Sequence, residues 1–216
     1  MSSIVLELQQ NALDPSVRVS DLLRKSLVTA KKLGIDEFES WIEKELNGYS
    51  TENDAPSYRV LRGQVVAWDI YRGWQPVFFE NFDDAILLSK CIALQPIGVI
   101  ESALQQSADN ASLYADFNPA TEEKIIRLLD SPAQVTRKVS PHSLVTVTES
   151  VRNIILRWSL QMEADGILGD GLTFSAKEKI TATQNNYYVT NFFGNVNVAG
   201  DIVGRDKKNT PDIRVV

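Results

Sequence analysis

A single cysteine, Cys91, and a single histidine, His142, occur in this chain. One thiol excludes an intrachain disulfide and a cysteine-built metal cluster, and it points to a reducing compartment. One histidine, at the second position of a predicted helix, reads as a first-turn surface residue rather than a catalytic base. Basic residues are also short: 22 Lys and Arg against 28 Asp and Glu leave a formal net charge of -6. General binding of duplex nucleic acid needs a basic face that displaces counterions, so that class is set aside. No basic region precedes an apolar run in "MSSIVLELQQ", so no signal peptide is expected. No run approaches the roughly 18 to 20 apolar residues of a membrane helix. A cytoplasmic protein without membrane contact is expected.

Enzyme signatures are missing too. There is no phosphate-cradling glycine loop, no G-x-S-x-G elbow and no H-E-x-x-H. "DGILGDG" (Asp165–Gly171) lacks oxygen ligands at Ile167 and Gly169, so it reads as a helix end and turn rather than a calcium loop. The expectation is no catalytic residues, no metal ligands and no cofactor. A nuclease built from carboxylates alone leaves little sequence signature and stays open.

What is present is mostly helical punctuation. Ser20 is placed to cap a helix carrying Leu22, Leu23, Leu27, Ala30 and Leu33, which Gly34 ends. Asp36 and Glu39 have capping-box spacing before the face Phe38, Trp41, Ile42 and Leu46. Shorter helices are predicted over Asp83–Cys91, Ile97–Gln106 and Thr121–Leu129, the last two joined by the polar "SADNASLYADFNPA". Ser140–Pro141 opens the longest helix, with a stripe of Leu144, Val147, Val151, Ile154, Ile155, Trp158 and Met162. Ser175 with Glu178 forms a second capping box.

Two strand-like runs, Tyr58–Asp69 and Trp74–Glu80, flank "IYRG", where Gly73 supplies the turn angle. Pro76 cannot donate to a ladder and puts the second strand at an edge. This hairpin gathers Trp68, Tyr71, Arg72 and Trp74, a set suited to stacking a base or nucleotide ring. The plainer alternative is that the tryptophans pack the hairpin onto the helices.

"NYYVTNFFGNVNVAGDIVGRD" (Asn186–Asp206) differs from everything before it. No charge occurs between Lys179 and Asp201, and Phe192, Val196, Val198 and Ile202 alternate onto one apolar face. A lone two-stranded ribbon is marginal at best, so this segment must dock on its own domain or pair with copies of itself. Self-association is the preferred reading, with Asp201, Arg205 and Asp206 restraining open-ended stacking. The expected fold class is α+β: a mainly α-helical domain (1–180) with a small β-hairpin, a β-strand oligomerisation tail (181–206) and a mobile terminus (207–216).

Three stretches resemble the AbiTii domain of bacterial abortive-infection and phage-defence proteins. They are "LELQQNALDPSVRVSDLLRKSLVTAKKLGIDEFESWIEKELNGY" (Leu6–Tyr49), "YRVLRGQVVAWDIYRGWQPV" (Tyr58–Val77) and "VRNIILRWSLQMEADGILGDGLTFSAKEK" (Val151–Lys179). The tail is similar in composition to the "GNV…GDIVGRD" endings that recur on bacterial conflict proteins. The resemblance implies a role in antiviral defence and carries over no catalytic residue. The expected protein is a non-enzymatic defence module that recognises a phage- or host-derived component and homo-oligomerises through its tail. An oligomer-regulated nuclease or nucleotide-processing toxin, and a nucleotide sensor at the tryptophan hairpin, are the alternatives.

Overall fold

The computed structural model of the chain describes residues 3–106, 112–129, 134–185 and 187–193. Three helices come first: α1 (Ile4–Leu13), α2 (Val19–Leu33) and α3 (Asp36–Asn47). A short 3-10 turn (Ser57–Arg59) leads into β1 (Val60–Asp69) and β2 (Gly73–Pro76). Then come α4 (Phe82–Ser89), β3 (Lys90–Ile92), α5 (Ile97–Gln106), β4 (Leu113–Asp116), α6 (Pro119–Leu128) and β5 (Val135–Val139). The 24-residue α7 (Pro141–Ala164), α8 (Ala176–Gln184) and a 3-10 turn (Val189–Phe192) complete the described chain.

α7 is the axis of the main core. Its predicted stripe is buried throughout, with Val147, Val151, Ile155, Trp158 and Met162 fully enclosed. Ser140 caps it by accepting from the His142 N–H, and Pro141 sits where its missing N–H costs nothing. α1 packs along α7, and α2 packs on both α3 and α7. Phe38 of α3 stacks on Trp158 with ring centroids 4.1 Å apart. That stack ties the helices that the sequence separates by more than a hundred residues.

Two predicted caps do not form: one is replaced by a remote side chain and the other by no side chain at all. Ser20 lies inside the first turn of α2 and is buried. The turn's free N–H groups are met instead by Glu101 of α5, which accepts from Val19 N (2.6 Å) and Ser20 N (3.3 Å). A carboxylate at a helix N-terminus satisfies those donors and also meets the positive end of the helix dipole, so a remote side chain outcompetes the local hydroxyl. In α3, Asp36 is the first helical residue; the cap position is Ile35 and makes no side-chain cap bond. The second capping box is as predicted: Ser175 and Glu178 bond each other's backbone N–H.

The hairpin is present, as part of a larger antiparallel sheet in the order β2-β1-β5-β4, with β3 also paired to β1. β2 is shorter than predicted and lies at the edge, where Pro76 requires it. The inner face carries a second small core of Val65, Phe117, Ile125 and Val135, while Leu61 and Val139 join the main core. Helices thus cover one face of the sheet.

The expected boundary at residue 180 falls within α8. Tyr187, Val189 and Phe192 are buried in the main core, the last two in a 3-10 turn rather than a strand. Phe192 packs edge-on to Phe38 at 6.2 Å, and its carbonyl accepts from Arg157 Nη1 at 3.0 Å. Tyr187 donates to Asp165 Oδ2 at 2.6 Å. The remaining tail positions, Val196, Val198 and Ile202, and the terminus 207–216 lie outside the described residues.

Candidate functional site: the open sheet face

Strand pleating decides which side chains reach solvent. Successive residues of β1 point to opposite faces, and its inward positions Val65 and Ala67 pack onto the small core. The outward positions are Arg62, Gln64, Val66 and Trp68. Strand register places their neighbours: Trp68 opposite Trp74, Val66 opposite Pro76 and Thr136, and Gln64 opposite Lys138. β4 continues the two lower rows, with Asp116 opposite Thr136 and Tyr114 opposite Lys138.

Three aromatic rings run across this face. The Trp68 N–H donates away from β2, to Gln134 O at 2.8 Å. Trp68 and Trp74 therefore face each other at a non-hydrogen-bonded position, where cross-strand side chains approach most closely. Their ring centroids lie 5.3 Å apart, edge to face. Trp74 then leans across β1 and β5 to Tyr114 on the far strand, at 5.4 Å with planes 31° apart. Val66 and Thr136, between them in register, are only 2% exposed. The rings shield that pair and remain open themselves: Trp68 and Tyr114 are each 46% exposed. Thr136 donates its hydroxyl to Asp116 Oδ1 at 2.9 Å, which fixes that carboxylate on the same face.

The turn between β1 and β2 is locally determined. Asp69 Oδ1 accepts from the backbone N–H of both Tyr71 and Arg72 at 2.8 Å, an Asx turn. Gly73 follows at φ +73°, in the left-handed region where a side chain would be strained. Tyr71, 92% exposed, and Arg72 are carried to the tip of this turn. Of the four residues predicted to form a site, the structure joins Trp68 with Trp74 and leaves Tyr71 and Arg72 at the rim.

Sequence reasoning missed Tyr114, which reaches the site only because β5 pairs with both β1 and β4. It also missed a cluster of cations. Lys90 pairs with Arg62 across β1 and β3, so both share the outer face with Lys138, and all three are exposed. Beneath the sheet, Arg137 stacks on Phe117 with its guanidinium 3.6 Å from the ring centroid. It also donates to the carbonyls of Leu88 and Asp116. That brace holds β4 and β5 in place under the aromatic row.

An open sheet face with three adjoining aromatic rings and a cationic end can bind. Among the described residues no group of three or more His, Cys, Asp or Glu is arranged to hold a metal ion. Among the same residues no helix is long and apolar enough to cross a membrane. No curated protein and no solved structure shows significant similarity to the chain. The AbiTii family model matches residues 3–187, which takes in α1 to α8, the five strands and the aromatic face; the chain belongs to the AbiTii family, a membership that points to abortive-infection defence.

Proposed function

We propose that the protein is a non-enzymatic recognition module of abortive-infection defence. It reads a phage- or host-derived component on the open sheet face and homo-oligomerises through the segment that follows Phe193. The observation that carries the reading is the exposure of the aromatic row. Large rings left half open on a sheet whose other face packs onto the two cores mark a surface kept for a partner. Oligomerisation supports recognition by raising effective concentration, so that several weak contacts act as one firm contact.

Phe192 packs into its own domain, so self-association rests on Val196, Val198 and Ile202. Val196→Asp with Ile202→Asp should convert the full chain to monomers in light scattering while leaving its helical circular dichroism unchanged. A native chain that is monomeric at high concentration contradicts the oligomer. The recognition half is tested by infection of cells carrying variants of the aromatic row.

A further inference from the structure

We propose that the open sheet face binds single-stranded RNA, with bases stacked on Trp68, Trp74 and Tyr114. This rests on the reading of that face as the recognition surface and names its ligand. Three observations converge on this class. The rings form one row from the edge strand β2 to β4, and two of them are 46% exposed. Aromatic side chains on an open antiparallel sheet accept unpaired bases of any identity, because every base has a π-face.

Charge is segregated on the same face. Arg62, Lys90 and Lys138 stand together beside the aromatic row in a chain of net charge -6. Among the described residues none of the three makes an ion pair with a carboxylate; Arg62 Nη1 donates to the neutral Ile86 O at 3.5 Å and Ser89 Oγ at 3.4 Å, which leaves its charge uncancelled for a phosphate backbone. Three cations are too few to hold a duplex, whose bases are also closed to stacking. They suit a strand whose bases supply most of the affinity.

Asp116 selects ribose. Its carboxylate, held by Thr136 next to Tyr114, repels phosphate and can only accept hydrogen bonds. The 2′-hydroxyl is the donor that RNA has and DNA lacks.

The test uses the full-length chain and its tryptophan fluorescence, titrated with a twelve-nucleotide oligouridylate. The same-length oligothymidylate, UMP and an RNA duplex run alongside. Saturable quenching by the oligouridylate is expected, with the other three at least about tenfold weaker. Three phosphate contacts on a single strand give a log–log salt slope of about -2. Affinity should therefore fall about 20-fold between 50 and 200 mM salt. By fluorescence anisotropy of a labelled oligouridylate, Trp74→Ala and Tyr114→Ala should each weaken binding about tenfold or more. Tyr71→Ala, at the turn tip, should leave it unchanged, and every variant should melt within a few degrees of the native chain.

Absence of binding, equal binding of oligothymidylate or UMP, or indifference to Tyr114→Ala overturns the RNA assignment. If it falls while a Trp68→Ala, Trp74→Ala, Tyr114→Ala variant of native melting temperature loses protection against phage, the recognition face stands with another ligand. If that variant protects fully, the recognition face falls too.

Discussion

Glu45→Ala should lower the unfolding free energy by about 3 to 5 kcal/mol, the usual cost of stranding one partner of a buried ion pair. Glu45 and Arg59 are both completely buried, with Arg59 Nη2 2.6 Å from Glu45 Oε2. Every strong donor around them is used. Glu45 Oε1 accepts from the hydroxyls of Tyr49 and Tyr58 at 2.6 Å and from Arg59 Nε at 3.1 Å. Arg59 Nη1 reaches the carbonyls of Ala93 (2.6 Å) and Gln95 (2.8 Å). Trp41 Nε1 donates to the Tyr58 oxygen at 2.9 Å. Burial first, then the Glu45 charge, pushes both tyrosines well above their ordinary pKa, so their hydroxyls stay protonated and donate.

The cluster joins α3 to the loop before α5, and Arg59 directly precedes β1. It therefore fixes where β1 enters the sheet, and with it which β1 residues face outward. Removing Glu45 leaves a guanidinium without its counterion and two tyrosines without an acceptor. Because a buried pair is dear to desolvate, Glu45→Leu combined with Arg59→Met should recover much of the loss. Urea unfolding of the two single variants and the double variant checks this. Additive losses in the double variant would show that the two residues are not coupled.

The second large effect lies at Glu178 and depends on pH. Partial burial pushes this carboxyl up, but its hydrogen bonds outweigh that. The N–H of Gly169, the hydroxyl and N–H of Ser175, and the N–H of Leu168 together hold it down to about 2. The folded value lies below the ordinary 4.5. Its stabilisation is therefore fully present above about pH 4.5 and is lost as pH falls toward about 2. A displacement of this size corresponds to at most about 3 kcal/mol, trimmed by solvent because the side chain is partly exposed.

The carboxylate ties the turn after α7 to the start of α8. Gly169 bends that turn at φ +70°, where an added Cβ would lie 2.8 Å from the Phe174 ring. Glu178→Gln keeps the shape but turns an amide donor toward backbone donors. It should lower stability by about 2 to 3 kcal/mol at pH 7 and flatten the decline between pH 4.5 and 2. Urea titrations of both proteins across that range decide it, and parallel declines would contradict the assignment.

The parts legible in sequence were those fixed by near neighbours. The stripe of α7 shows in its own three- and four-residue spacing, and the Ser175–Glu178 box and the Asp69–Gly73 turn depend on contacts within a few residues. Ser20 misled because the group that caps α2 comes from Glu101, 81 residues away. β3 has three residues and β4 has four, too few for an alternating pattern to register. Hence Tyr114 sat unnoticed in a polar connector, although the Trp68–Trp74 pair stood out as neighbours across a turn. At Phe192 the two-residue alternation was real in sequence. The side chain instead follows Tyr187 and Val189 into the main core, because Phe38 and Trp158 already offer an aromatic wall there.

Protection of bacteria from phage is the most direct test of the open face. Cells expressing the full chain with Trp68, Trp74 and Tyr114 all changed to alanine should plaque like unprotected cells, while the purified variant keeps native helical circular dichroism and melts within a few degrees of the native chain. Undiminished protection by that folded variant would contradict the assignment of recognition to this face.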